Sequence, residues 1–207
     1  MSFYGSQILP CLIHLAMQQS NLAAYRRRVI PSAERRVLDV GVGSGLNLLF
    51  YSDRADCVIG LGPWPGLLAK VIGATNLPVE LLKGSAELVP LEDGSIHTVV
   101  RTWTLCTTPD APRTLREMRW ILELGGRLLF AEYGRAPEVN VQRWQDHLTS
   151  LWKRIGGDCH LNRAIADLIV IAGFRSNRLK RNSRWPGTSY SPATSRTRQN
   201  ELIALSS

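Results

Sequence analysis

Between residues 36 and 131, short apolar runs alternate with amphipathic ones. Arg36–Val40, Cys57–Leu61, Val79–Lys83, Ile96–Trp103 and Gly126–Ala131 read as strands. Their near-continuous apolar character predicts burial on both faces of a sheet. Leu46–Tyr51, Gly66–Ile72 and Ala111–Leu122 carry helical spacing and lie between those strands. Strand, loop and helix in repeated succession predict a mostly parallel sheet with helices on both faces. Right-handed crossovers make it a doubly wound, Rossmann-like α/β domain.

The pattern changes on either side. Residues 6–29 read as helical, with Ile8, Leu12, Leu15 and Ala16 at helical spacing and Arg26, Arg27 and Arg28 before Pro31. This predicts an amphipathic cover helix; a helix lying on a membrane surface is the alternative, because an apolar stripe beside an arginine cluster is shared by both. After the fifth strand, residues 133–160 form an insertion. Its helix, Asn140–Arg154, places Val141, Trp144, Leu148, Leu151 and Trp152 on one side and ends at Gly156-Gly157. Residues 162–172 predict another helix. Residues 181–200, rich in Ser, Thr, Arg and Asn with Pro186 and Pro192, read as a loop or partly disordered tail. Leu202–Leu205 is a candidate edge strand. The expected organisation is one domain over residues 1–174, with a helical cover at 1–33, a ligand-binding core at 36–132 and the insertion at 133–160. A divergent basic segment follows at 175–207.

The chain has 207 residues and a net charge of +8. A charge of this sign invites an acidic partner, but its distribution weakens that inference. Residues 175–207 contribute +6 of it, so the body is nearly neutral and a nucleic-acid partner is unfavoured. A tail-mediated nucleic-acid contact would fall steeply with salt. Cys11, Cys57, Cys106 and Cys159 are far apart, with no metal-ligand spacing and no disulfide framework, so no metal is expected and a reducing cytoplasm is. The apolar run Ile8–Met17 is too short to span a bilayer and lacks a preceding basic region. Peripheral membrane contact is left open, as is oligomeric state.

The most informative motif is Asp39-Val-Gly-Val-Gly-Ser-Gly45, where the first strand meets the first helix. Ligands of open α/β sheets bind at that edge. The dinucleotide fingerprint needs a third glycine one place later, where Leu46 stands. An acid two residues ahead of the first glycine suits a ligand with an ammonium group and repels a pyrophosphate. S-adenosylmethionine carries such a group. A dinucleotide and a purely structural glycine turn are the alternatives.

In this motif, in Gly84-Ser-Ala-Glu-Leu-Val-Pro-Leu91, in Thr102–Asp110, in Leu115-Arg-Glu-Met-Arg119, in Gly125–Glu132 and in Arg143-Trp-Gln-Asp146 with Cys159–Arg163, the chain resembles class I S-adenosylmethionine-dependent methyltransferases. It is similar to the methyltransferase type 11 group related to ubiquinone- and menaquinone-biosynthesis enzymes, near the small alkyl-thiol methyltransferase branch. The resemblance implies that Asp39, Gly41, Gly43 and Gly45 cradle the methionine portion of the cofactor. Ser85 and Ala86 would flank the adenine. Thr102 and Trp103 would sit beside the sulfonium, where Trp103 could hold a cation on its ring; a packing tryptophan is the competing role. The family usually ends its second strand with an acid for the ribose hydroxyls, but Gly62 stands there. Losing that acceptor is worth about 1.5–3 kcal/mol. Ser95-Ile-His97 stands where the family reads Ser-Phe-Asp, a change expected to affect packing.

Methyl transfer from a sulfonium depends on positioning and desolvation, with a base needed only for a protonated acceptor. His160 is the candidate base, against a capping or hydrogen-bonding role for the same residue. Glu132, Tyr133, Trp144, His147, Asn162 and Arg163 are the candidate substrate-binding residues, beside Cys159 in the same insertion. The apolar insertion predicts a small, partly hydrophobic acceptor: a thiol, a quinone precursor or an amine. A catalytically weakened cofactor-binding or regulatory protein on the same fold is the alternative that Gly62 motivates.

Overall fold

The computed structural model describes residues 14–15, 17–62, 75–155, 158–175, 180–181, 188–193 and 201–203. Its elements in chain order are α1 (Ser20–Val29), β1 (Arg35–Val40), β2 (Ala55–Gly62), β3 (Val79–Lys83), β4 (Ile96–Thr102) and α2 (Ala111–Ile121). They continue with β5 (Leu122–Tyr133), α3 (Val139–Ile155), α4 (Ile165–Ile171), β6 (Lys180–Arg181), β7 (Thr188–Ala193) and β8 (Glu201–Ile203).

The strands form one sheet in the order β3-β2-β1-β4-β5-β7-β6, with β8 also paired to β5. β1 to β5 run parallel, and β7 lies antiparallel against Leu128–Tyr133 of β5. The alternation of side chains explains why both faces are covered. Leu38, Ile59, Val99 and Phe130 pack on one face with Leu115, Met118, Ile169 and Phe174. Val37, Val58, Val100 and Leu129 pack on the other with Val29, Ile30 and Leu48. Each face is an unbroken apolar layer, which is the arrangement a doubly wound parallel sheet requires. α2 starts where Asp110 accepts from the Arg113 amide at 2.9 Å with Pro112 in the first turn, two features of a helix start.

β1 is hydrogen-bonded to β2 on one side and β4 on the other, so the chain reverses its winding there. The crevice beyond the carboxyl ends of β1 and β4 is therefore the expected ligand position.

Three local expectations change. Leu46–Tyr51 forms only a short 3-10 turn at Leu48–Phe50, and Tyr51 is already extended. The side chains of Asn47 and Tyr51 both turn to Asp39, which draws this segment toward β1. The expected continuous helix over residues 6–29 is interrupted: residues 14, 15 and 17 are helical, but Gln19 is extended with ψ 142° before α1 begins. Within the polar stretch 181–200, residues 188–193 form β7, which covers the β5 edge. The expected helix Gly66–Ile72 lies outside the described residues.

Candidate active site

The glycine loop leaves β1 at Gly41. Gly41, Gly43 and Gly45 all have positive φ, at 77°, 53° and 74°. At Gly41 the requirement is strict, since a Cβ would lie 2.5 Å from Thr104 Cγ2. The loop thus lies directly against the segment following β4. Beside it opens a cavity of about 520 Å³, lined by Gly41, Gly43, Gly62, Ser85 and Ala86 among others. Those five residues come from the ends of β1, β2 and β3, which the parallel topology brings to one edge.

Asp39 lies beneath the loop with no solvent exposure. Both carboxylate oxygens accept from Asn47 Nδ2 at 3.1 Å, and Oδ2 also accepts from the Tyr51 hydroxyl at 3.1 Å. Burial pushes its pKa up to about 6 despite these bonds and nearby Arg26. Arg26 is itself buried. It donates from Nε to Asn47 Oδ1 at 3.1 Å and from Nη1 to the Met17 carbonyl at 2.9 Å. Its guanidinium lies 4.7 Å over the Trp103 ring. Trp103 has φ 51° and packs against Tyr25 and Tyr133. For a bulky residue that backbone conformation is a genuine strain, of the kind found at ligand sites.

A second buried group sits on the opposite sheet face. Glu132 Oε1 accepts from the Thr104 and Leu105 amides at 3.0 and 2.8 Å, and Arg101 Nε lies 3.6 Å away. Burial pushes Glu132 up to about 7, against the lowering effect of Arg101 and the two amides. Arg101 lines the cavity and binds Thr108 through Nη2, while Nη1 has no hydrogen-bond partner among the described residues. Arg163 donates to the Leu105 and Thr108 carbonyls, clamping the loop after β4. The buried Cys106 thiol shares a hydrogen bond with the Cys159 thiol; that hydrogen bond and burial raise Cys106, while the same hydrogen bond holds Cys159 low.

The methyltransferase-domain family matches residues 38–130, from within β1 to within β5. A thiol S-methyltransferase, TMT1B, of Rattus norvegicus is 31% identical over 138 residues, covering 64% of this chain and 57% of that protein. An uncharacterized methyltransferase of Mycobacterium tuberculosis is 35% identical over 102 residues, 48% of this chain and 40% of its own length. The chain therefore spans about half the length of these relatives. An S-adenosylmethionine-dependent methyltransferase of Mesorhizobium loti has the same fold at TM-score 0.64 and 15% identity, covering 85% of this chain and 98% of that one. These likenesses support a class I S-adenosylmethionine-dependent methyltransferase domain over residues 38–130. S-adenosylmethionine is the cofactor of that family.

The residues around the cavity fit this cofactor. Gly41 and Gly43, both at positive φ, bring backbone without side chains to the cavity wall, and Ser85 and Ala86 border the cavity for a planar base. Gly62 lacks the usual acid, and among the described residues a Cβ there meets only Val42 Cγ1, at 3.8 Å. Lys83 is its register partner on β3 and also lines the cavity.

Other sequence expectations land elsewhere. Asp39, Gly45, Thr102 and Trp103 do not line the cavity. Asp39 and Thr102 instead grip Asn47, and the cation on Trp103 is Arg26, which occupies the ring that a sulfonium was expected to use. His160 Nδ1 lies 3.2 Å from Arg163 Nη2 and 3.2 Å from the Cys106 carbonyl. Nδ1 thus lies between the Arg163 guanidinium, which can only donate, and the Cys106 carbonyl, which can only accept. Nδ1 is thus engaged whichever tautomer is present, and His160 serves as a bridge between the insertion and the β4 loop. Trp144 and His147 are exposed on α3, and Asn162 binds Asp146 at 2.8 Å. Tyr133 packs on Trp103, and burial pushes it up to about 12.

Sequence reasoning missed Arg26, Asn47, Tyr51 and Arg101. Arg26 was detectable: it shares a helical face with Leu22, Tyr25 and Val29, whereas Arg27 and Arg28 point outward. His14, whose Nδ1 meets Ser44 Oγ in the glycine loop, carried no such signal.

Proposed function

We propose that this protein transfers a methyl group from S-adenosylmethionine to a small, partly hydrophobic acceptor, with a thiol as the first class to test. The observation that carries the reading is the cavity at the carboxyl edge of β1 to β3, walled by the glycine loop and by Gly62, Ser85 and Ala86. The relatives named as thiol S-methyltransferases, at about 30% identity, direct the choice of acceptor; a quinone precursor and an amine are the other classes.

The bound cofactor supplies an electrophilic methyl group. The chain's own residues position and desolvate. The backbone of Gly41 and Gly43 takes the amino-acid end of the ligand, with the buried Asp39 charge beneath it favouring an ammonium. Ser85 and Ala86 flank the base. Arg163 and Glu132 fix the loop after β4 from opposite sides, so that the wall facing the cavity is preorganised. Trp103, Tyr25 and Tyr133 pack together in a buried cluster that supports the segment following β4 from the side away from the cavity lining. A thiol acceptor is a good nucleophile once ionised, and no base from the chain is then required at neutral or mildly basic pH.

The test is incubation with S-adenosylmethionine and a panel of alkyl thiols, quinols, phenols and amines, following S-adenosylhomocysteine. Turnover with thiols above the other classes supports the reading. Absence of cofactor binding at millimolar concentration would sink it. Binding without turnover on any class would support the second reading, a cofactor-binding or regulatory protein, which the glycine at position 62 favours. Among the described residues no helix is long and apolar enough to cross a membrane.

A further inference from the structure

The loop after β4 is tied to the segment after α3 over a short stretch. The His160 amide donates to the Cys106 carbonyl at 2.9 Å, and Arg163 donates to the Leu105 and Thr108 carbonyls. The turn that opens this segment is itself fixed. Asp158, at φ 65°, donates its amide to the Lys153 carbonyl at 2.9 Å, and its carboxylate lies 3.4 Å from the Lys153 ammonium. The backbones of Cys106 and Cys159 are thereby held side by side, and their thiols share a hydrogen bond. The two thiols differ in access. Cys106 is 4% exposed, whereas Cys159 is partly open to solvent.

The surroundings divide the chemistry between them. The hydrogen bond from Cys106 holds Cys159 below the usual thiol range, helped by a hydrogen bond from Trp152 and by the Arg163 charge, against burial and Glu132. A partly exposed thiol that ionises readily, beside a second thiol able to resolve it, is the arrangement of a redox-responsive pair. The pair also has a route to the ligand. Thr104, Thr107, Thr108 and Pro109 line the cavity on either side of Cys106, which does not line it and meets Cys159 behind that wall. A disulfide draws two sulfurs to about 2.05 Å, so a bond here pulls the wall away from the cavity. We propose that Cys106 and Cys159 form a redox site, at which a hydroperoxide makes a reversible disulfide that weakens cofactor binding. The Cys159 thiolate attacks the outer peroxide oxygen and the O–O bond breaks. The leaving oxygen takes the proton that Cys159 released and departs as an alcohol, or as water from hydrogen peroxide, and Cys159 becomes a sulfenic acid. The Cys106 sulfur then attacks Cys159 Sγ; the S–O bond breaks, and the departing hydroxyl takes the Cys106 proton as water. The two thiols together lose two electrons, and one hydroperoxide is reduced. Only the affinity readout rests on the methyltransferase reading; the bond itself does not.

The test treats the reduced full chain with hydrogen peroxide in thiol-free buffer, followed by non-reducing peptide mapping, thiol titration and calorimetry with S-adenosylhomocysteine. The expected result is a Cys106–Cys159 link, loss of two thiols per chain and affinity lowered about 5-fold, all restored by dithiothreitol. By linkage, saturating S-adenosylhomocysteine should shift the pair toward the dithiol in a glutathione buffer by the same factor. Cys159→Ser should abolish the link and make affinity indifferent to peroxide. Cys106→Ser should leave a sulfenic acid on Cys159 that dimedone traps, and Cys57→Ser, on β2, should behave as the parent. A link through Cys11 or Cys57 or to another copy overturns the proposal. So does over-oxidation of Cys159 in place of the bond, or a bond that leaves affinity unchanged. If the reduced chain binds no S-adenosylhomocysteine, the enzymatic reading fails, and the mapped bond and thiol count decide the redox site alone.

Discussion

The two ends of the same sheet treat carboxylates in opposite ways. At the amino edge, Glu34 lies 2.7 Å from Arg54, 2.9 Å from Arg127 and 3.3 Å from His97. Burial there acts to raise its pKa, but the His97 hydrogen bond and the arginine charges outweigh it and hold Glu34 below the usual range. At the carboxyl edge, Asp39 and Glu132 also have cations nearby. They are nevertheless raised to about 6 and about 7, because burial wins. Partner count is not what separates the two ends; access of water is. The amino edge is a satisfied ion network that ties β1, β4 and β5 together. The carboxyl edge keeps charged groups desolvated where the ligand binds, the pattern expected of a functional site.

The strongest way to break this contrast is Glu132→Gln. It leaves buried Arg101 without its counter-charge and should lower stability by about 3 kcal/mol, measured by denaturant unfolding at pH 7. The same variant tests the sign of the pH dependence. A carboxyl whose folded pKa is raised holds its proton more tightly when folded, so it withdraws stability as pH rises. For Glu132 that window runs from 4.5 to about 7, and for Asp39 from 3.8 to about 6. Glu132→Gln should remove the fall between pH 4.5 and 7; an unchanged slope contradicts the assignment.

Gly41→Ala comes next. Its φ of 77° and the 2.5 Å approach to Thr104 together predict a loss of about 2 kcal/mol and a matching drop in cofactor affinity by calorimetry. Gly43→Ala, with its nearest contact at 3.8 Å, should be milder.

This difference between the two glycines shows what the sequence can carry. Strand positions, the parallel order and the ligand edge follow from apolar runs and the Asp39–Gly45 motif, because both faces of a parallel sheet leave an unmistakable pattern. β3 runs over Val79–Lys83, as its pattern predicts, and β1 begins one residue early. Within the site, Gly41, Gly43, Gly62, Ser85 and Ala86 were legible because backbone approach demands small residues. Arg26, Asn47 and Arg101 were not, since each acts through a contact set only by tertiary packing. α3 was read as an apolar helix correctly; that Trp144, Leu148, Leu151 and Trp152 are exposed on it was illegible, because periodicity defines a stripe but not which way it faces.

Gly62→Asp sharpens the comparison by restoring an acid at the carboxyl edge. Among the described residues a Cβ at this position meets nothing nearer than 3.8 Å, and Lys83 sits opposite in register. Cofactor affinity should rise about 10-fold, the value of a charged acceptor for ribose hydroxyls. An unchanged dissociation constant would mean that the ribose is held by other groups.

The smallest effect belongs to the amino edge. Glu34→Gln keeps the shape of a side chain that touches Arg54, Arg127 and His97, and removes its charge from a partly exposed network. Such pairs are worth about 1 kcal/mol or less each. Because the folded pKa of Glu34 is depressed, its contribution is present above pH 4.5 and fades as pH falls through the folded value. That is the reverse of Glu132. Thermal melting of the variant should therefore trail the parent at pH 7 and converge with it in acid, while cofactor titration stays the same. If Glu34→Gln instead altered cofactor affinity, the two ends of the sheet would be coupled through β1 and β4, and the separation between a structural edge and a chemical edge would fail.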